Sequence, residues 1–237
     1  MHFKTPLVRG RLVKRYKRFL ADAVLDDGTE ITATCPNTGS MVGLCEPGLP
    51  IWLSRSDSPT RKFAYTWELV EWGGGKKKSF VGINTGHPNS IVAEAIETGH
   101  IPPLSGYATL RREVKYGQSS RIDLLLEDPA KGLAYVEVKN VHLLRETGLA
   151  EFPDSKTERG VKHLAELTAM VAAGHRAVMV YLIQRGDAHR FRPAADIDPK
   201  YAAALVAARA AGVEAYAVTC RISPDGITVD KVLPAIE

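Results

Sequence analysis

The sequence predicts a mixed α/β (α+β) chain, an OB-like β-barrel followed by an αβββαβ unit. Three observations carry this. Residues 7–72 break into short alternating strands separated by turn residues. After Gly86 the pattern changes to helices alternating with strands. The run from Arg121 to Val141 reads as a hairpin, with apolar arms Ile122–Leu126 and Leu133–Val138 about an Asp-Pro-Ala-Lys-Gly turn. At 237 residues one large or two modest domains are expected, and the change of pattern divides the chain into 1–83 and 84–237.

In the first part, strands are expected at 7–15, 19–25, 30–34, 49–54, 64–71 and 79–83, with Asp26-Asp27-Gly28 as a tight turn and a short helix or loop at 38–44. Five or six strands with one small insertion fit an OB-type barrel. Into it falls Lys14-Arg15-Tyr16-Lys17-Arg18-Phe19, where cations and rings interleave. Such a mix meets phosphates with its charges and bases with its rings, or it is a solvated strand edge that lysines guard against aggregation. Lys76-Lys77-Lys78 after three glycines reads as a hairpin tip or linker. The two Asn-Thr-Gly triplets, at 37–39 and 84–86, present backbone N–H groups to a phosphate or are simply turns, and turn chemistry suits them better.

In the second part, Pro88-Asn89-Ser90 starts a helix that Gly99 stops. Ile91, Val92, Ala95 and Ile96 form its apolar face, and Glu94 lies at the border, able to reach a neighbouring sheet. A strand at 108–114, the hairpin, and a polar loop at 144–157 come next. Ser155 to Glu158 has capping-box spacing, and Val161, Leu164, Leu167, Thr168 and Val171 mark the helix it opens. A buried strand at 177–183, ending at Gln184, a helix at about 200–211, and strands at 213–218 and 227–232 complete the chain. Helix, three strands, helix, strand is the order of the restriction-endonuclease-like core.

The hairpin carries the chemistry. Side chains alternate along a strand, so Tyr135, Glu137 and Lys139 face one way and Ala134, Val136 and Val138 the other. A turn of odd length centred near Ala130 puts Asp123 opposite Glu137. Like charges facing each other on a sheet repel, and burying either costs more, so the pair calls for a cation or a shared proton. Mg²⁺ or Mn²⁺ answers that need, since Mg²⁺ takes one or two carboxylates plus waters and phosphate oxygens. Lys139 would orient an attacking water or stabilise charge on a phosphate oxygen. The competing reading is a surface hairpin with an ordinary Glu-Lys pair, a spacing that chance supplies easily. Lys156, Arg159 and Lys162, on the loop and first turn after the hairpin, are expected to clamp phosphates, or to be a solvated helix start. Arg121 and Gln184 are weaker candidates, and His163 is a polar surface residue or a partner to a carboxylate rather than a metal ligand.

Composition fits a globular chain, with 45% hydrophobic and 24% charged residues and a mild net charge of +4. There is no apolar run long enough for a transmembrane helix and no signal-peptide core, so a cytoplasmic location is expected. Cys35, Cys45 and Cys220 lack the spacing of a disulfide framework or structural zinc site and are expected to be free thiols.

Longer motifs go further. Ala21-Asp22-Ala23, the run Cys35 to Met41, Ser120-Arg121-Ile122-Asp123, the run Val136 to Val141, Phe152-Pro153-Asp154 and the run Arg159 to Leu164 closely resemble the sugar fermentation stimulation protein family, across almost the whole chain. That resemblance implies an OB-like first domain, a nuclease-like second domain of the PD-(D/E)xK type, DNA binding and a link to maltose metabolism. Carried onto this sequence, it makes Asp123, Glu137 and Lys139 the catalytic set, with Glu94 as the helix carboxylate. Ile122 stands where the motif has proline. The expected function is cleavage of single- or double-stranded DNA with Mg²⁺ or Mn²⁺ held by Asp123 and Glu137. No reader helix of a recognised type is present, so little sequence specificity is expected. The alternatives are a catalytically silent DNA-binding regulator of sugar metabolism and, more remotely, a small-molecule phosphohydrolase.

Overall fold

A computed structural model describes residues 1–73, 78–117 and 120–237. Strands β1 (Val8–Tyr16), β2 (Leu20–Leu25), β3 (Glu30–Thr34), β4 (Pro50–Arg55) and β5 (Tyr65–Trp72) pair in the order β3-β2-β1-β4-β5, and a parallel contact of β3 with β5 closes the sheet. That is the OB barrel expected from the sequence. Strand β6 (Ser79–Gly82) adds to β5. Inward-facing Leu12, Ala21, Ala23, Ala33, Ile51, Leu53 and Trp67 fill the interior, as alternation in a small barrel requires. Residues 38–44 form turns, so of the two expectations there the loop holds. Both Asn-Thr-Gly triplets are Asx turns, Asn37 Oδ1 accepting from Gly39 N and Asn84 Oδ1 from Gly86 N, each at 2.9 Å. Of the Lys76-Lys77-Lys78 run the first two lie outside the described residues, while Lys78 pairs with Glu71 at 3.0 Å.

The second sheet has the order β15-β14-β12-β9-β8-β7, formed by β7 (Thr109–Tyr116), β8 (Ser120–Asp128), β9 (Gly132–Val141), β12 (Arg176–Ile183), β14 (Glu214–Ser223) and β15 (Gly226–Val232). Helix α1 (Pro88–Glu97) covers one face over Leu124, Leu126, Val136, Val138 and Val180. Helices α2 (Glu158–Ala172) and α3 (Pro199–Ala210) cover the other over Leu125, Met179 and Tyr181. Buried on both faces, β12 reads as a continuous apolar run from Ala177 to Ile183. It lies parallel to β9, and α2 is the crossover between them.

Two local expectations are corrected. The loop at 144–157 contains strands β10 (Leu143–Glu146) and β11 (Leu149–Phe152), and β11 pairs in parallel with β13 (Arg190–Pro193) in a small third sheet. The α2 cap is Thr157, whose side chain accepts from Gly160 N at 3.0 Å, and not Ser155. Asp198 Oδ2 takes the N–H of Thr157 at 2.7 Å, fixing the cap in place.

Candidate active site

The turn at 128–132 sets the register that matters. Asp128 Oδ1 accepts from Ala130 N at 2.9 Å and Lys131 N at 3.0 Å, and Gly132 adopts φ +75°, closing the turn. The ladder then runs from Asp128 opposite Gly132 to Leu124 opposite Val136. One step further Asp123 faces Glu137, and there the backbone ladder stops. The N–H of Val138 donates instead to Asp123 Oδ2 at 2.8 Å. Strand β9 continues beside β12 to Val141. Where β8 and β9 part, the acids sit at the head of a notch.

Glu137 is 2% exposed. Its Oε1 accepts from Lys139 Nζ at 2.7 Å and from His163 Nδ1 on α2. Its Oε2 is buried with no partner. An ionised carboxylate with one bare buried oxygen is costly, and a cation beside it would offset that cost. Burial pushes the Glu137 carboxyl up, but the His163 hydrogen bond and the Lys139 charge outweigh it and hold it below the ordinary range. Asp123 goes the other way. Burial and then the charge of Glu137 raise it, against the N–H of Val138 and the Asn89 amide, which donates to Oδ1 at 2.8 Å. Two acids driven apart in this way share a seat that an ion would relieve. Among the described residues no three His, Cys, Asp or Glu side chains converge in ligating geometry; the two carboxylates offer the oxygen donor type that Mg²⁺ takes alongside its retained waters.

Of the remaining candidates, the structure does not bring Glu94 to the notch. Its Oε2 binds the Met1 ammonium at 2.6 Å, in a pocket it shares with Arg221 and Asp230 at the β15 edge. The α1 residue beside Asp123 is Asn89, at the start of the helix, and its amide also donates to Glu113 Oε1 at 3.1 Å. Glu113 in β7 has φ +55°, a conformation a non-glycine residue rarely adopts, and the ladder to β8 keeps its register on either side of it. Arg121 Nη1 donates to the Glu113 carbonyl at 3.2 Å. Gln184 bonds Asn140 at 2.7 Å at the seam with the barrel, away from Lys139. Lys156 and Arg159 are exposed at the start of α2, Arg159 Nε reaching His163 Nε2 at 3.3 Å, and Lys162 pairs with Glu166 at 3.6 Å. His163 is buried against Glu137, not at the surface; its place one turn beyond Arg159 and beside Leu164 and Leu167 was a usable signal for that.

On the barrel, Lys17 and Arg18 stand exposed at the tip of the β1–β2 hairpin with φ +49° and +64°, and exposed Phe19 follows. Lys14 pairs with Asp22 at 3.5 Å, and Tyr16 OH donates to the same carboxylate at 3.0 Å. Arg15 is engaged by backbone carbonyls. Its Nη2 donates to the carbonyls of Arg18, Asn37 and Gly39 at 2.9, 2.8 and 3.0 Å, so it braces the tip against the 37–40 loop.

Comparison with known proteins agrees with this architecture. The model of the SfsA N-terminal OB domain matches residues 13–83, and that of the sugar fermentation stimulation protein RE domain matches residues 86–226. The sugar fermentation stimulation protein homolog of Rhodospirillum centenum is 64% identical over 98% of each chain, and that of Rhizobium meliloti 60% identical over the full length of both. The solved structure of Pyrococcus furiosus SfsA in complex with Ca²⁺ superposes with a TM-score of 0.88 at 28% identity, covering all of this chain and 98% of the other. The chain therefore belongs to the sugar fermentation stimulation protein family, with an OB barrel joined to a restriction-endonuclease-like sheet.

Proposed function

We propose that the protein is a divalent-metal-dependent nuclease that cleaves DNA with little sequence specificity, gripping it with residues 1–83 and cutting with residues 84–237. The observation that carries this is the bare, buried Oε2 of Glu137 beside the raised carboxyl of Asp123 and the ammonium of Lys139. The Ca²⁺ complex of the archaeal relative supports a divalent ion in the family. Asp123 and Glu137 would hold Mg²⁺ or Mn²⁺, which when bound supplies Lewis acidity toward a phosphate oxygen and lowers the pKa of a coordinated water. Lys139 places a positive charge 2.7 Å from Glu137 and is positioned to orient the attacking water and offset charge growing on the phosphate. Asn89 and the N–H of Val138 hold Asp123 in one orientation. Arg159, which contacts His163, Lys156 at the start of α2, and Lys17 and Arg18 at the barrel tip would meet backbone phosphates, a contact that carries no sequence information.

The test uses labelled single- and double-stranded DNA with Mg²⁺ or Mn²⁺. Cleavage is expected from the wild type, lost on chelation and lost in Asp123→Ala and Lys139→Ala. Intact substrate with wild type under both metals refutes the nuclease reading and leaves a DNA-binding protein.

A further inference from the structure

His163 is 5% exposed, and both of its ring nitrogens are occupied. Arg159 stands four residues earlier on α2, so the two side chains share a face one turn apart. Arg159 Nε lies 3.3 Å from His163 Nε2. An arginine N–H can only donate, so Nε2 must accept and the ring proton must sit on Nδ1. That proton points at Glu137 Oε1. Lys139 Nζ, although 3.2 Å from the same Nδ1, finds no lone pair there and donates to Oε1 instead. Two donors therefore converge on one oxygen of Glu137, and the other is left bare and buried.

We infer that His163, its tautomer fixed by Arg159, is a positioning residue that holds Oε1 of Glu137 so that Oε2 is presented to the divalent ion. Neither ring nitrogen is available as a ligand, which separates this role from metal coordination. With His163 gone, Lys139 alone restrains Oε1, and the carboxylate is free to turn its bare oxygen away from Asp123. Partners of this kind, one bond removed from the ion, typically contribute 10- to 100-fold to affinity.

The inference rests on the metal-site reading above, and its test separates the two. Mn²⁺ binding to the full chain is measured by titration calorimetry for the wild type, His163→Ala and His163→Asn. The asparagine amide nitrogen falls near the position of Nδ1 and keeps the donor. Affinity is expected to fall about 10- to 100-fold in His163→Ala and to return toward wild type in His163→Asn. In the metal-free wild type, ¹⁵N spectra should show His163 protonated on Nδ1 and bare on Nε2. Wild-type affinity in His163→Ala, or a proton found on Nε2, overturns this inference and leaves the metal site standing. A wild type that takes up no Mn²⁺ overturns the metal site and the positioning role together.

Discussion

Lys139→Ala should destabilise the metal-free protein as well as silence it. Glu137 is 2% exposed and its side-chain partner Lys139 only 14% exposed, joined at 2.7 Å. Removing one member of a buried pair strands the other charge, at a cost of about 3–5 kcal/mol. His163 remains on Oε1, which places the expected loss near the lower end, about 3 kcal/mol. In a chain of this size 1 kcal/mol shifts Tm by roughly 2–4 °C, so a fall of about 6–12 °C is expected. The assay is thermal unfolding for Tm and urea unfolding for free energy, both in chelator and followed by far-UV circular dichroism. Lys139→Met keeps the aliphatic stem and should fall as far, which separates lost charge from lost packing. Mg²⁺ at a hundred times its Kd adds about 2.7 kcal/mol to any form that binds it, and in the variant it restores the missing positive charge. A Lys139→Ala protein within about 0.5 kcal/mol of wild type, the range of a surface change, would refute the buried-pair account of the notch.

Asp123→Asn should act in the opposite sense in chelator. A carboxyl raised in the folded state contributes stability that is fully present below its unfolded pKa and is lost as pH rises through its folded one; the variant should therefore gain on wild type from acid toward neutral pH, and urea midpoints that keep a constant gap across the range would contradict this. At the barrel tip, replacing Lys17 and Arg18 by alanine should lower the slope of log K against log salt for DNA by about 1.4–1.8, or 0.7–0.9 per phosphate contact, with little change in Tm. Arg15→Ala should reverse that pattern, costing about 1–3 kcal/mol because the carbonyls of Asn37 and Gly39 lose their charged donor; salt titrations and melts on the same samples check both.

What sequence could read here was local. The register of β8 with β9 follows from a five-residue turn and period-two alternation, both written within twenty residues, and so Asp123 and Glu137 could be placed face to face. The choice between Glu94 and Asn89 could not be made that way. A helical wheel says which side of α1 is apolar, but not that the helix crosses the sheet with its start over β8 and its later turns toward β15. Arg15 looked like any cation in a basic run, because the carbonyls that capture it lie 22 and 24 residues away. The pairing of β11 with β13 joins segments about forty residues apart whose composition marks neither as a strand.

The two halves of the proposed machine are fastened rather than tethered. Gly82 N donates to the Gln184 carbonyl at 2.9 Å and Gly186 N to that of Phe80 at 3.1 Å, so the last barrel strand is stitched to the end of β12. A Cβ at Gly82 would lie 2.6 Å from Gln184 Oε1, so any larger residue there would have to displace that side chain. A second fastening runs through side chains. Arg15 ties the basic tip to the loop of Asn37 and Gly39, Ser40 Oγ of that loop donates to Asp154 Oδ2 at 3.0 Å, and Asp154 precedes the cap of α2, whose His163 bonds Glu137. On the proposed nuclease reading, phosphates bound at Lys17 and Arg18 would be held on the same fastened frame as the notch. On that reading, orientation gained at the barrel would not have to be found again at the acids, and a contact that reads no sequence would still decide which phosphate is presented for cutting.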